Sequence, residues 1–344
     1  MNFRSDNVSG IAPEILAAIV AANSGDAPSY GADPITHRVT RRFAEIFEHE
    51  VAVFPVATGT AANALALAAL TPPWGAVYCH EDSHVQTDEC AAPEFYAAGA
   101  KLVAVPGADA KLSPAAVEAR MIEQGVVHHA QPAAISISQA TEAGTLYTPA
   151  EVAELGALAR RRGLALHMDG ARFANAVAAL GCSPAEITWR AGVDALSFGA
   201  TKNGALAAEA VIFFDPAKAA DFVYRRKRGG HLFSKMRFLS AQLDACLADE
   251  LWLKNARHAN RVAARLADGL AQIAGARLRY PTQANEVFVE LPEKAIRALA
   301  EAGFGFHRWG GQSSQCLRLV AAFDSRLDDA EAFIAVARQH AGPS

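Results

Sequence analysis

Lys202 stands in SFGATKNGALAAEAVIFF (197–214), a stretch otherwise made mostly of small and apolar side chains. An amine held beside apolar walls loses proton affinity through desolvation and becomes a nucleophile toward carbonyl compounds. Gly199 and Gly204 flank it and leave room for another body to approach the backbone. Asp169 comes earlier, at the end of the apolar run LALHMD, with Arg172 three residues on. A carboxylate at a strand end is costly unless paired, so it either forms a structural ion pair with an arginine or holds a cationic ring nitrogen of a ligand. Earlier still, ATGTAAN (57–63) joins an apolar run to an Ala/Leu helix pattern. Free N–H groups at such a helix start, with the Thr58 and Thr60 hydroxyls, suit a phosphate; taken alone, a plain helix cap explains the segment as well. It matches neither a Walker A loop nor GxGxxG, so neither a nucleoside triphosphate nor a dinucleotide is implied. Phosphate cradle, strand-end carboxylate and strand-end amine are, in that order, the three contacts that pyridoxal 5'-phosphate requires.

Elements that could position these groups recur along the chain. The runs VAVFPV (51–56), AVYCH (76–80), KLVAV (101–105), AAISIS (133–138), LALHMD (164–169), DALSF (194–198) and AVIFF (210–214) read as buried strands. Helical stretches lie between several of them, as in TPAEVAELGALARRRG, where Thr148 caps, Pro149 starts and Gly163 ends a helix. Strands alternating with helices predict a mostly parallel α/β sheet, whose ligands sit beyond the carboxyl ends of the strands. From about Leu247 a long Ala/Leu/Arg helix runs through Leu270, followed by NEVFVEL and CLRLVAAF with another helix between them. This predicts a large domain over 1–246, including an N-terminal arm, and a smaller α+β domain over 247–344.

A chain of 344 residues with 51% hydrophobic content can bury a sizeable core. A formal net charge of −4 offers no attraction to nucleic acid or an acidic membrane surface, and the run RRKRGG (225–230) reads as a solvated helix face. The N-terminus lacks an apolar signal core and no apolar run reaches a membrane span, so a cytoplasmic protein is expected. Cys79, Cys90, Cys182, Cys246 and Cys316 are scattered without a CxxC pair; they suggest small buried apolar residues rather than a disulfide framework or a zinc cluster.

FRSDNVSG at the start, SYGADP (29–34), ATGTAAN (57–63), HEDSH (80–84), LHMDGARFANA, SFGATKNG (197–204) and LRLVAAF (317–323) together resemble the low-specificity L-threonine aldolases of the fold-type I pyridoxal-phosphate enzymes. The resemblance runs over nearly the whole chain. It implies that Lys202 joins the cofactor's aldehyde, that Asp169 keeps the pyridine nitrogen protonated, and that Gly59 and Thr60 hold the phosphate. His84 would stack on the ring, while Ser5, Arg172 and Arg318 would grip the substrate carboxylate. The substrate would be a small β-hydroxy-α-amino acid, cleaved to glycine and an aldehyde. The base for the hydroxyl proton would be His84, His128 or a water between them; His129 reads as loop polarity. Lys227, Arg228 or Lys235 would reach a cofactor phosphate across a subunit interface, and Tyr30 would serve the neighbouring site, in a tetramer built from two dimers. Many family members carry an acidic-plus-amide pair and a histidine after the strand at 133–138, where this chain reads Ser138-Gln139-Ala140-Thr141-Glu142, and ATKNG replaces an SKGLG type. These departures resemble a phenylserine-cleaving subgroup. β-Elimination, racemisation or transamination on the same fold is the rival expectation, and a non-catalytic module is a weaker one that intact Lys202 and Asp169 oppose.

Overall fold

Each apolar run named above forms a strand in the computed structural model, which describes residues 1–341. They are β1 (Ala52–Val56), β2 (Gly75–His80), β3 (Lys101–Val105), β4 (Gln131–Ser138), β5 (Ala165–Gly170), β6 (Ala195–Gly199) and β7 (Glu209–Phe213). One sheet holds all seven in the order β1-β7-β6-β5-β4-β2-β3. The five strands β3 to β6 in that row run parallel, and β7 lies antiparallel to both of its neighbours. β2, β6 and β7 are buried along their whole length, which is why they read as unbroken apolar runs rather than as alternating ones.

The helix Gly59–Leu70 crosses from β1 to β2 over one face of this sheet and buries every residue from Ala61 to Ala68. Only small side chains with a few leucines let a helix lie that close, and a helix apolar all round belongs in a core. Thr148 caps the helix Pro149–Arg162 in a full capping box with Glu151, and Gly163 closes it at φ 68°.

A second, antiparallel sheet contains β8 (Arg277–Leu278), β9 (Glu286–Glu290), β10 (His307–Arg308) and β11 (Cys316–Val320) in the order β10-β11-β9-β8. β8 and β10 have two residues each, too few to show alternation in sequence. The helices Leu251–Ala271, Glu293–Glu301 and Leu327–His340 complete this layer. The N-terminal segment reaches this second sheet: the Phe3 N–H donates to the Gly305 carbonyl, the Val320 N–H donates to the Phe3 carbonyl (both 2.8 Å), and the Phe3 ring packs edge-on to Phe333. Among the described residues no helix is long and apolar enough to cross a membrane. Cys90 departs from the expected burial, being exposed in a turn at φ 50°, while Cys79, Cys246 and Cys316 are buried. Arg226 departs from the solvated face expected of RRKRGG: it is buried, with its guanidinium over the Phe54 ring.

Candidate active site

The carboxyl ends of β4, β5 and β6 open on a cavity of about 320 Å³ that Thr58, Gly59, Thr60, His84, Asp169 and Lys202 all line. These are the ends that the parallel topology designates for ligands. Thr58 is the N-cap of the helix Gly59–Leu70, its hydroxyl accepting the Ala61 N–H at 3.2 Å. The amides of Gly59 and Thr60 lie in the first turn, where no intrahelical acceptor exists, and an ideal Cβ on Gly59 would meet nothing within 4 Å. The space a phosphate needs is therefore open at the positive end of the helix dipole.

Asp169 is buried and accepts from the Ala171 N–H (3.0 Å) and from Asn63 Nδ2 (2.9 Å). Among the described residues it has no ion pair. The structural pair with Arg172 does not form, because Arg172 is engaged elsewhere. Asn63, on the second turn of the phosphate-side helix, also donates to Glu89 Oε1 at 2.8 Å, and its own Oδ1 finds no partner. A buried carboxylate that meets only amides and faces a cavity is suited to a cationic ring nitrogen. The residues present thus fit pyridoxal 5'-phosphate at both its anionic and its cationic ends.

Lys202 occupies a single 3-10 turn, Thr201–Asn203, immediately after β6, and its amine makes no ion pair or side-chain hydrogen bond among the described residues. The flanking glycines serve protein neighbours rather than a ligand. A Cβ on Gly199 would fall 2.6 Å from the Ala171 carbonyl oxygen, and one on Gly204, at φ 106°, would fall 2.9 Å from the Ala12 Cβ. The small residues bring the lysine turn against the backbone of Ala171, two residues past Asp169, and both side chains line the one cavity.

His84 opens a short helix after β2, and its Nδ1 bonds the buried Glu89 at 2.8 Å. That hydrogen bond, outweighing desolvation, raises the proton affinity of the imidazole and fixes its ring plane. Ser5 caps the turn Asp6–Val8 by accepting the Asn7 N–H. Arg172 does not line the cavity as expected: it is buried, and Asp6 takes its Nε and Nη2 at 2.7 and 2.9 Å. Burial alone would raise the Asp6 carboxyl, but Arg172 overcomes this and holds it below the usual range. Glu286 on β9 stands 3.4 Å from Arg172 Nη1 and accepts two bonds from Arg318, so the two arginines share one acid between them. Arg318 likewise is not among the residues that line the cavity.

His128 is misplaced by the sequence reading. It is exposed in a turn at the amino end of β4, whereas the cavity opens at the carboxyl end of that eight-residue strand, about 25 Å away at 3.3 Å per residue. Lys227, Arg228 and Lys235 are exposed and absent from this cavity; Lys227 Nζ sits 5.0 Å from the centre of the Tyr30 ring, itself exposed.

Acids missed in the sequence surround the site. Glu209, the first residue of β7, lines the cavity and accepts the Ala200 N–H at 2.8 Å, and burial pushes its carboxyl up to about 7. Its signal was a single acid at the mouth of an otherwise apolar strand. Glu89, Asp6 and Glu286 carry no comparable local signal.

The chain matches the beta-eliminating lyase family over residues 2–293. It is 46% identical to a low specificity L-threonine aldolase of Pseudomonas aeruginosa over 95% of this chain and 94% of that protein. A threonine aldolase structure from Leishmania major superposes with a TM-score of 0.93 at 29% identity, covering 99% of both chains. A structure of SPT with PLP shares the fold at 16% identity and a TM-score of 0.71, covering 99% of this chain and 87% of that one.

Proposed function

The chain belongs to the low-specificity L-threonine aldolases within the beta-eliminating lyases, and from that premise we propose that it cleaves L-threonine, L-allo-threonine and related β-hydroxy-α-amino acids such as phenylserine to glycine and an aldehyde. The observation that carries this reading is the one cavity shared by buried Asp169, an open helix N-terminus and Lys202, neither charged side chain making an ion pair among the described residues.

Pyridoxal 5'-phosphate, the cofactor these residues suit, supplies an electron sink for the pair left on Cα when the Cα–Cβ bond breaks. The chain's own residues do the rest. Thr58, Gly59 and Thr60 hold the phosphate through hydroxyls and backbone amides, and Asp169 holds the ring nitrogen in its protonated form. Asn63 keeps the Asp169 carboxylate aimed into the cavity. Lys202 provides the amine to which the cofactor joins. His84, its plane set by Glu89, covers the ring face. Arg318, with Ser5 and Arg172 behind it, orients the substrate carboxylate, and that orientation selects which Cα bond is broken. Exposed Lys227, Arg228, Lys235 and Tyr30 serve the phosphate and substrate of a neighbouring subunit, in a homotetramer made of two site-sharing dimers, and the enzyme works in the cytoplasm.

The test is incubation of the cofactor-loaded protein with L-threonine, L-allo-threonine and L-phenylserine, quantifying glycine, acetaldehyde or benzaldehyde, ammonia and keto acid. Glycine with the matching aldehyde is expected. Ammonia and a keto acid without aldehyde would place the chemistry with β-elimination or transamination instead.

A further inference from the structure

Three acids line the cavity, and two of them are engaged. Asp169 bonds Asn63 and the Ala171 amide, and Glu209 bonds the Ala200 amide. The third, Glu142, makes no hydrogen bond or ion pair with any described residue. Its backbone is nevertheless held firmly. The Gln139 side chain donates to the Tyr147 carbonyl and accepts its N–H (2.8 and 3.0 Å), and the Gln139 N–H donates to the Asp169 carbonyl. The Thr141 and Thr145 hydroxyls bond each other at 2.7 Å, and Gly144, at φ 72°, sits where a Cβ would lie 3.0 Å from that of Glu286. A carboxylate fixed at its backbone, unpaired at its oxygens and turned toward a catalytic cavity is arranged to receive a hydrogen bond from something that enters.

The groups around Glu142 are His84 after β2, Asp169 at the end of β5 and Arg172 after it, Lys202 after β6, and Glu286 on β9. Of these, His84 is one of the candidate bases for the hydroxyl proton. Its Nδ1 is committed to Glu89, and the same bond favours the charged ring, which donates protons but has no lone pair to accept one. A hydroxyl needs both a donor to its oxygen and an acceptor for its hydrogen. His84 and Glu142 face the same space with those two capacities.

We propose that Glu142 accepts the proton of the substrate's β-hydroxyl in the carbon–carbon cleavage step. This deepens the aldolase reading and rests on it. The O–H bond breaks and its proton passes to a Glu142 oxygen; the O–H electron pair forms the aldehyde C=O; the Cα–Cβ bond breaks and its pair stays on Cα of the glycyl fragment. Proton addition at Cα then yields glycine, and Glu142 returns its proton to solvent. Burial, with Glu286 nearby, lifts the proton affinity of this carboxyl and so makes it a stronger base than an exposed glutamate.

The experiment compares wild type, Glu142→Gln and Glu142→Asp as holoenzymes on two reactions. One is cleavage of L-phenylserine and L-threonine; the other is exchange of the glycine Cα hydrogen with D2O followed by NMR, which involves no hydroxyl. Glu142→Gln is expected to lose cleavage by about 100-fold or more, to keep glycine exchange within about threefold, and to lose the acidic limb of the wild-type kcat profile; Glu142→Asp recovers part of the cleavage. Undiminished cleavage in Glu142→Gln overturns the proposal, and so does a parallel fall in cleavage and exchange, which marks a merely structural residue. A wild type that exchanges glycine but releases no aldehyde from any β-hydroxy amino acid overturns the aldolase reading itself, and the proposal with it.

Discussion

Lys202 and Asp169 are side chains whose functional state is decided by what they lack. Neither makes an ion pair among the described residues, which leaves both open to a ligand. Lys202→Ala is expected to abolish turnover and the visible absorption of the holoprotein, and absorbance and product assays on the purified variant check this together. Arg318 keeps contacts to one acid only, and removing its guanidinium in Arg318→Leu is expected to raise KM by about 10–100-fold, the equivalent of one charge-assisted hydrogen bond, with a smaller change in kcat. Glu209 makes a prediction about pH. Its folded-state pKa is raised by burial to about 7, so the stability it contributes is present in full below the unfolded value near 4.5 and declines as pH rises through 7. Glu209→Gln is expected to remove up to about 3 kcal/mol of that decline, read as a smaller loss in urea midpoint between pH 5 and pH 8 than in wild type.

At the scale of elements, the strands were legible because burial on both faces leaves long apolar runs. β5 and β6 fell within a residue of where LALHMD and DALSF placed them. The grouping of Thr58, Gly59, Thr60, Asp169 and Lys202 on one cavity was legible for the same reason, since each lies at or just past the end of a strand. His128 misled because proximity to a strand in sequence does not say which end of it opens on the site. The acids were not legible because their partners are remote: Asp6 meets Arg172 across 166 residues and Asn285 across 279. Phe3 shows how such distance is bridged. Its ring is locked among Phe304 and Phe333, and the segment it anchors then brings Asp6 to Arg172 and Asn7 to the cavity. Phe3→Ala is expected to cost about 3–5 kcal/mol and, by loosening Asp6 from Arg172, to weaken amino-acid binding. Thermal unfolding and a binding titration on the same sample check both effects.

For the whole molecule, the proposed division into 1–246 and 247–344 runs close to a helix that belongs to two cores. In Leu251–Ala271, Trp252 and Ala256 pack into the cluster under the large sheet, and Val262, Leu266 and Leu270 into the cluster under the small one. Shared sites across subunits have their own test. Mixing Lys202→Ala with the double variant Lys227→Ala, Arg228→Ala under conditions that exchange subunits is expected to restore activity, because hybrid dimers regain one intact site of their two, about a quarter of all sites at random pairing. Mixtures that stay as inactive as their parents would show that each subunit supplies its own site.

The two-core helix also connects the catalytic turn to the rest of the protein. At its large-sheet end, the Trp252 carbonyl accepts from the Asn203 side chain at 2.8 Å, and Asn255 Nδ2 donates back to the Asn203 carbonyl at 3.0 Å, next to Lys202. At its other end it carries the sheet that bears Glu286 and Arg318. A helix of 21 residues is a stiff rod about 30 Å long. One stiff element therefore fixes the sheet that bears Glu286 and Arg318 against the peptide beside Lys202, so the two cores hold a single mutual setting.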